Sequence, residues 1–99
     1  MKEQQQDLPA SLTMSDIVEK IKRVDYVVMP NSTTTVCQLT LENGFTVIGT
    51  SSCVDPRKFN KATGEHYAYE NAVEKIWQLE GYLLKQRRHE GKATFGGDA

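Results

Sequence analysis

No stretch of the chain approaches the roughly 20 consecutive apolar residues that a membrane-spanning helix needs. Even the β-prone run Tyr26-Val27-Val28-Met29 is cut off at once by Pro30-Asn31. A protein that does not enter a bilayer is the expectation. Cysteine is scarce, with only Cys37 and Cys53. Met1 to Gln6 is polar and Gln-rich, without the apolar centre of a secretory signal. The two thiols are therefore expected to stay reduced in a cytosol. Histidine is equally sparse: His66 and His89 fall about six turns apart on one predicted helix, too far to share a metal within one chain. There is no G-x-S-x-G, Walker A loop, H-E-x-x-H or C-x-x-C. These absences point to a protein that binds rather than transforms, with no metal, cofactor or catalytic residue. Nor is there an excess of charge of one sign. Twelve Lys and Arg face 13 Asp and Glu, for a net charge of −1, which argues against both a general polyanion binder and an acidic nucleic-acid mimic.

What is present is enough for one small domain. The 99 residues divide into a flexible arm (1–9), a single α+β domain (10–90) and a flexible tail (91–99). Thr13-Met14-Ser15-Asp16 has the form of a capping box, with Thr13 as N-cap and Asp16 at the third helical position. Behind it, Met14, Ile17, Ile21 and Val24 recur at helical spacing and predict a short amphipathic helix.

The strongest local signal is Asn43-Gly44 between the β-rich runs Thr34 to Leu41 and Phe45 to Thr50. A two-residue type I′ turn there opposes Leu41 to Thr46, Leu39 to Ile48 and Cys37 to Thr50. The core face is then Cys37, Leu39, Leu41 and Ile48, and Cys53 falls on the opposite face from Cys37, which disfavours a disulfide.

Asn60 is a good N-cap for a long helix reaching about His89, roughly 40 Å at 1.5 Å per residue. Ala68, Tyr69, Ala72, Val73, Ile76, Leu79, Leu83 and Leu84 form a broad apolar arc on it, with Trp77 at the edge. Such a helix overhangs a domain this small, and its exposed end favours self-association, most simply as a dimer. Gly64 and Gly81 lie inside it. Each costs about 1 kcal/mol relative to alanine, so close packing of another backbone is the expected reason for both. The fold class is α+β: a short N-terminal helix, a small antiparallel sheet built on the hairpin, and a long C-terminal helix.

Several of these residues also occur together in a known pattern. Val36-Cys37, Asn43-Gly44-Phe45-Thr46-Val47-Ile48-Gly49, Cys53-Val54-Asp55-Pro56, Phe59-Asn60, Gly64, Glu70-Asn71-Ala72-Val73, Lys75-Ile76-Trp77, Leu79 and Gly81-Tyr82 resemble a family of small tailed-phage proteins. It is typified by gene products forty-nine and sixty-six of two enterobacterial phages. The resemblance spans about Val36 to Lys85, roughly half the chain. Two positions depart from the pattern: Gln78, often Pro, and Glu80, often apolar. Glu80 inside the apolar arc is expected to be a carboxylate buried in the core or at a subunit interface, paired with Arg87. The resemblance implies a phage or prophage product acting in the cytoplasm of a bacterial host, and supplies no catalytic residues or cofactor.

On the long helix, Tyr67, Asn71, Lys75, Gln78 and Tyr82 fall within an ~80° sector away from the apolar arc. Two phenols, two amides and an ammonium offer stacking, base-edge hydrogen bonds and phosphate attraction, a set suited to a nucleotide-type small molecule. An ordinary solvated face is the plain alternative. Arg57, Lys58 and Lys61 put positive charge at the start of that helix, either as an anion site or as loop solvation. Lys85, Arg87, Arg88, His89 and Lys92 complement the helix dipole at its far end, a weaker case for nucleic acid. The expected function is that of a non-enzymatic phage accessory protein, with anti-defence sequestration of a nucleotide-type signal as its sharpest form. Inhibition of a host enzyme by protein–protein contact, or weak nucleic-acid binding, is the alternative.

Overall fold

Thr13 begins the first element as its residue type suggests. The Thr13 hydroxyl accepts from the Asp16 N–H at 3.2 Å, and the Asp16 carboxylate accepts from the Thr13 N–H at 2.9 Å, closing the capping box. The computed structural model describes residues 12–98, with side chains through residue 91. Its elements run α1 (Met14–Glu19), β1 (Ile21–Val28), β2 (Thr34–Leu41), β3 (Thr46–Ser52), a 3-10 turn at Pro56–Lys58, and α2 (Lys61–Asp98). The strands form one antiparallel sheet in the order β1-β2-β3. This is the α+β arrangement expected. The arm at residues 1–9 lies outside the described residues.

The first helix is shorter than its apolar spacing suggested. It ends at Glu19, and Ile21 and Val24 belong to β1. The reason is a β-bulge. Ile21 pairs with Leu41 but Arg23 already pairs with Thr40, so the register shifts between them. One extra residue in the bulge puts Ile21 and Val24, three apart, opposite Leu41 and Leu39 on the same sheet face. A spacing of three therefore arises here from an irregular strand and imitates a helical repeat.

The hairpin forms where Asn43-Gly44 stands, but in a different register. Only Gly44 takes a positive φ, +92°. Its N–H donates to the Leu41 carbonyl at 2.8 Å, and the Leu41 N–H donates to the Phe45 carbonyl at 2.8 Å. That is a three-residue connection with glycine in the left-handed position, not a type I′ pair. The partners slip by one: Leu39 faces Val47, Gln38 faces Ile48 and Cys37 faces Gly49. A one-residue slip turns every side chain to the other face, so Val47 enters the core and Ile48 does not. That register no longer separates Cys37 from Cys53 by face. Both thiols are nonetheless free, Cys37 buried mid-strand and Cys53 beyond the end of β3.

Asn60 caps α2 through its side-chain oxygen, which accepts from the Thr63 N–H at 3.0 Å. Ala68, Ala72 and Ile76 are fully buried because α2 lies directly on β2 and β3. An added Cβ at Gly49 would come within 2.2 Å of the Ala72 nitrogen and 2.3 Å of the Ala68 oxygen, so only glycine admits this approach. Gly64 meets a side chain rather than a backbone: a Cβ there would stand 2.6 Å from the Thr35 hydroxyl oxygen. The helix does not stop near His89; its backbone continues to Asp98, about 57 Å at 1.5 Å per residue. A glycine at position 91 weakens a helix without forbidding it. Leu79 and Leu83 prolong the buried stripe past the end of the sheet and are 41% and 37% exposed. The overhang is real, and it is apolar at its root.

Candidate functional site

The helix sector predicted as a binding surface exists, but as a row along a convex rod. From Tyr67 to Tyr82 the rise is about 22 Å, so the five residues do not converge on one small molecule within one chain. Asn71 is spent on structure: its side-chain amide donates to the Thr50 carbonyl at 2.8 Å, satisfying the open edge of β3. The row thus flanks that sheet edge. Lys75 and Gln78 are exposed, and Tyr82 is 70% exposed.

Tyr67, by contrast, borders a hollow. At the head of α2 its ring, with Ser51, Cys53, Lys58, Asn60 and Gly64, lines a cavity of about 230 Å³. Three local causes shape it. Thr33 closes one end, its hydroxyl donating to the Cys53 carbonyl and accepting from the Cys53 N–H. Asp55 holds the 3-10 turn, accepting from the backbone N–H of Arg57 at 3.0 Å and pairing with its guanidinium at 3.2 Å. These contacts, side chain first, keep the Asp55 carboxyl below its ordinary range. Gly64, whose missing side chain admits Thr35 behind it, forms part of the wall. The tyrosine ring is 53% exposed and meets His66 edge-on at 5.4 Å.

Of the three cations near the helix start, two are engaged with acids. Arg57 pairs with Asp55, and Lys61 with Glu65 at 3.7 Å. Lys58 is the one on the cavity wall. Positive charge, a helix N-terminus and an aromatic face therefore meet there, a combination that favours an anionic group carrying a planar ring. The sequence reading placed these features in two separate groups. Ser51 carries no sequence signal, and Cys53, notable by sequence only as a thiol, gives none that it lies here, since only the folded end of β3 brings them to the helix.

The Cys53 thiol donates to the Asp55 carbonyl at 3.1 Å, while His66 pairs with Glu70 at 3.2 Å, so no Cys–His pair arises. Burial raises the pKa of Cys37, which keeps that thiol protonated and unreactive. Glu80 is half-buried within the single chain; with Arg87, Asp16 and Lys20 it lines a cleft of about 210 Å³ between α1 and the overhang of α2. Among the described residues no helix is long and apolar enough to cross a membrane.

A family model described as Phage protein (N4 Gp49/phage Sf6 gene 66) family matches residues 12–88, so the likeness reaches from α1 into the overhang and takes in β1 as well as the hairpin. No curated protein and no solved structure matches.

Proposed function

The chain belongs to the N4 Gp49/phage Sf6 gene 66 family of phage proteins, and from that premise we propose that it is a non-enzymatic accessory protein that captures a host-derived, nucleotide-type ligand at the head of α2. The sharpest form of the reading is anti-defence: a phage product in the bacterial cytoplasm that removes a nucleotide signal by holding it.

The observation that carries the reading is Tyr67 on the wall of the 230 Å³ cavity beside Lys58. A base stacks on the exposed phenol ring, and a phosphate sits near Lys58 and the first turn of α2, where unpaired N–H groups favour anions. At about 230 Å³ the cavity falls below the ~300 Å³ at which ligand pockets usually begin, so it takes at most one nucleotide unit. Lys75 and Gln78, further along the helix, lie outside the reach of such a unit. Binding of this kind needs shape and charge and no chemistry.

Calorimetric titration of the full chain with nucleoside monophosphates, cyclic dinucleotides and ADP-ribose tests it. Heat is expected with at least one, reduced at least about tenfold in affinity by Tyr67→Ala or Lys58→Ala. No heat with any of them overturns the reading. One observation favours a second reading. The row ending at the well-exposed Tyr82 is convex, a shape that meets a protein groove better than a small molecule. Under it, a host enzyme is inhibited by the chain, and the inhibition survives Lys58→Ala but not Tyr82→Ala.

A further inference from the structure

The asparagines of the chain are Asn31, Asn43, Asn60 and Asn71, and the fold sets one of them apart. Asn60 caps α2, and the Asn71 amide is held by the Thr50 carbonyl. Asn31 precedes Ser32, whose side chain crowds the amide that follows Asn31. Asn43 precedes Gly44, and both are exposed at the tip of the hairpin. A Cβ built on Gly44 would meet nothing within 4 Å. The Gly44 nitrogen is thus shielded neither by a side chain of its own nor by a neighbour.

A carboxamide next to such a nitrogen is an electrophile beside a nucleophile. Two hydrogen bonds of the folded turn hold them apart. The Gly44 N–H donates to the Leu41 carbonyl at 2.8 Å, and the nitrogen must give up that proton before it can attack. The Asn43 side-chain oxygen accepts from the Phe45 N–H at 3.0 Å, which fixes the orientation of the carboxamide. A hairpin tip opens more readily than the core of its sheet.

We propose that Asn43-Gly44 is a self-modifying site guarded by its own turn, converted at a rate set by how often that turn opens. In the open turn the Gly44 nitrogen loses its proton to solvent and bonds to Asn43 Cγ. The Cγ–Nδ2 bond breaks, and the nitrogen leaves as ammonia after taking a proton from solvent. Water then opens the resulting cyclic imide at either of its carbonyls. Opening at Cγ restores the original backbone, with aspartate in place of asparagine. Opening at the main-chain carbonyl leaves isoaspartate, whose backbone runs through the side chain and is one carbon longer. Nothing is oxidised or reduced, and water is the only co-reactant.

The two products differ in consequence. An aspartate carboxylate accepts from the Phe45 N–H as the carboxamide oxygen does. Isoaspartate lengthens the turn that pairs Leu41 with Phe45, and with it disturbs the register that buries Val47. Neither Tyr67 nor Lys58 takes part, so the proposal stands apart from the ligand reading.

Incubation of the full chain at mildly alkaline pH, folded and in guanidinium chloride, followed by peptide mapping by mass spectrometry, tests it. The peptide containing Asn43 should convert about tenfold or more slowly in the folded chain than in denaturant. Gly44→Ala should slow conversion in denaturant, because a methyl group then shields the nitrogen. Asn43→Asp should keep the wild-type urea midpoint, while the isoaspartate fraction separated from aged protein should unfold at lower urea. No conversion in denaturant overturns the proposal, and so do equal rates with and without it. An isoaspartate fraction as stable as the wild type overturns the consequence assigned to the longer backbone.

Discussion

The two halves of α2 carry the same kind of apolar repeat and meet different fates. Between Lys61 and Ile76 the repeat lies on a sheet. Ala68, Ala72 and Ile76 lose all exposure, and Gly49 lets backbone approach backbone. Between Leu79 and Gly91 the repeat continues past the last strand, and Leu79 and Leu83 remain partly open. Periodicity specifies which side of a helix is apolar. It does not specify what covers that side. The docked half stabilises the fold of the single chain, while the overhang contributes to stability only when something else lies on it.

The largest test of that contrast is Gly49→Ala. One methyl group would stand 2.2 Å from the Ala72 nitrogen and 2.3 Å from the Ala68 oxygen, and neither is a flexible side-chain end. The helix must lift from the sheet, at an expected cost of about 3 kcal/mol or more, read from the urea midpoint at constant slope. A loss under about 1 kcal/mol would mean that α2 is not seated on β3 as described.

A matched pair of truncations sharpens the comparison. Ile76→Ala empties a fully buried site and should cost about 3 kcal/mol. Leu83→Ala, made seven residues on along the same stripe, should cost under about 1 kcal/mol in dilute protein, because much of its surface already faces water. Equal losses would erase the distinction between the halves.

The same distinction explains how far the residues could be read without coordinates. Asn60, the Thr13–Asp16 capping box and the long arc of α2 are local signals, and each stands where its chemistry put it. Errors arose where two local readings were compatible with one string. Ile21 and Val24 at a spacing of three suit a helix or a bulged strand, and pairing with β2, a long-range event, decided for the strand. Asn43-Gly44 suits a two-residue turn or a three-residue turn with glycine last, and the choice moved Val47 inward and Ile48 outward. The candidate site was half legible. Tyr67 and Lys58 stood out by residue type, but their meeting depends on the end of β3 arriving beside α2, which no short-range pattern encodes. Asn71 looked like a recognition amide and instead completes the hydrogen bonding of a sheet edge.

A smaller effect, opposite in sign, tests the docked half at its one polar flaw. Thr35 is fully buried beneath Gly64, and its hydroxyl has no hydrogen-bond partner. Keeping a hydroxyl unpaired in such a place costs free energy, whereas an apolar group of like shape does not. Thr35→Val should therefore be neutral or stabilise by up to about 1 kcal/mol. Marked destabilisation would show that the hydroxyl is paired in solution and that the helix–sheet contact at Gly64 is looser than described.

The smallest expected effect lies at the entry to α2 and is a matter of pH. The Arg57 side chain and backbone N–H hold the Asp55 carboxyl below its ordinary range. A carboxyl whose folded pKa lies below its unfolded value binds protons more readily when unfolded. Its contribution is therefore complete above the unfolded pKa, near 3.9, and fades as pH falls through the folded value. Because the group is well solvated, the contribution is slight. Asp55→Asn should make the acid limb of the stability curve, followed by urea unfolding below about pH 4, marginally shallower, with the larger contrasts of Gly49 and Ile76 unchanged. An acid limb identical to wild type would mean that the Asp55–Arg57 pair does not persist in solution. The 3-10 turn, and with it the position of Lys58 on the cavity wall, would then depend on backbone hydrogen bonds and the Asn60 cap alone.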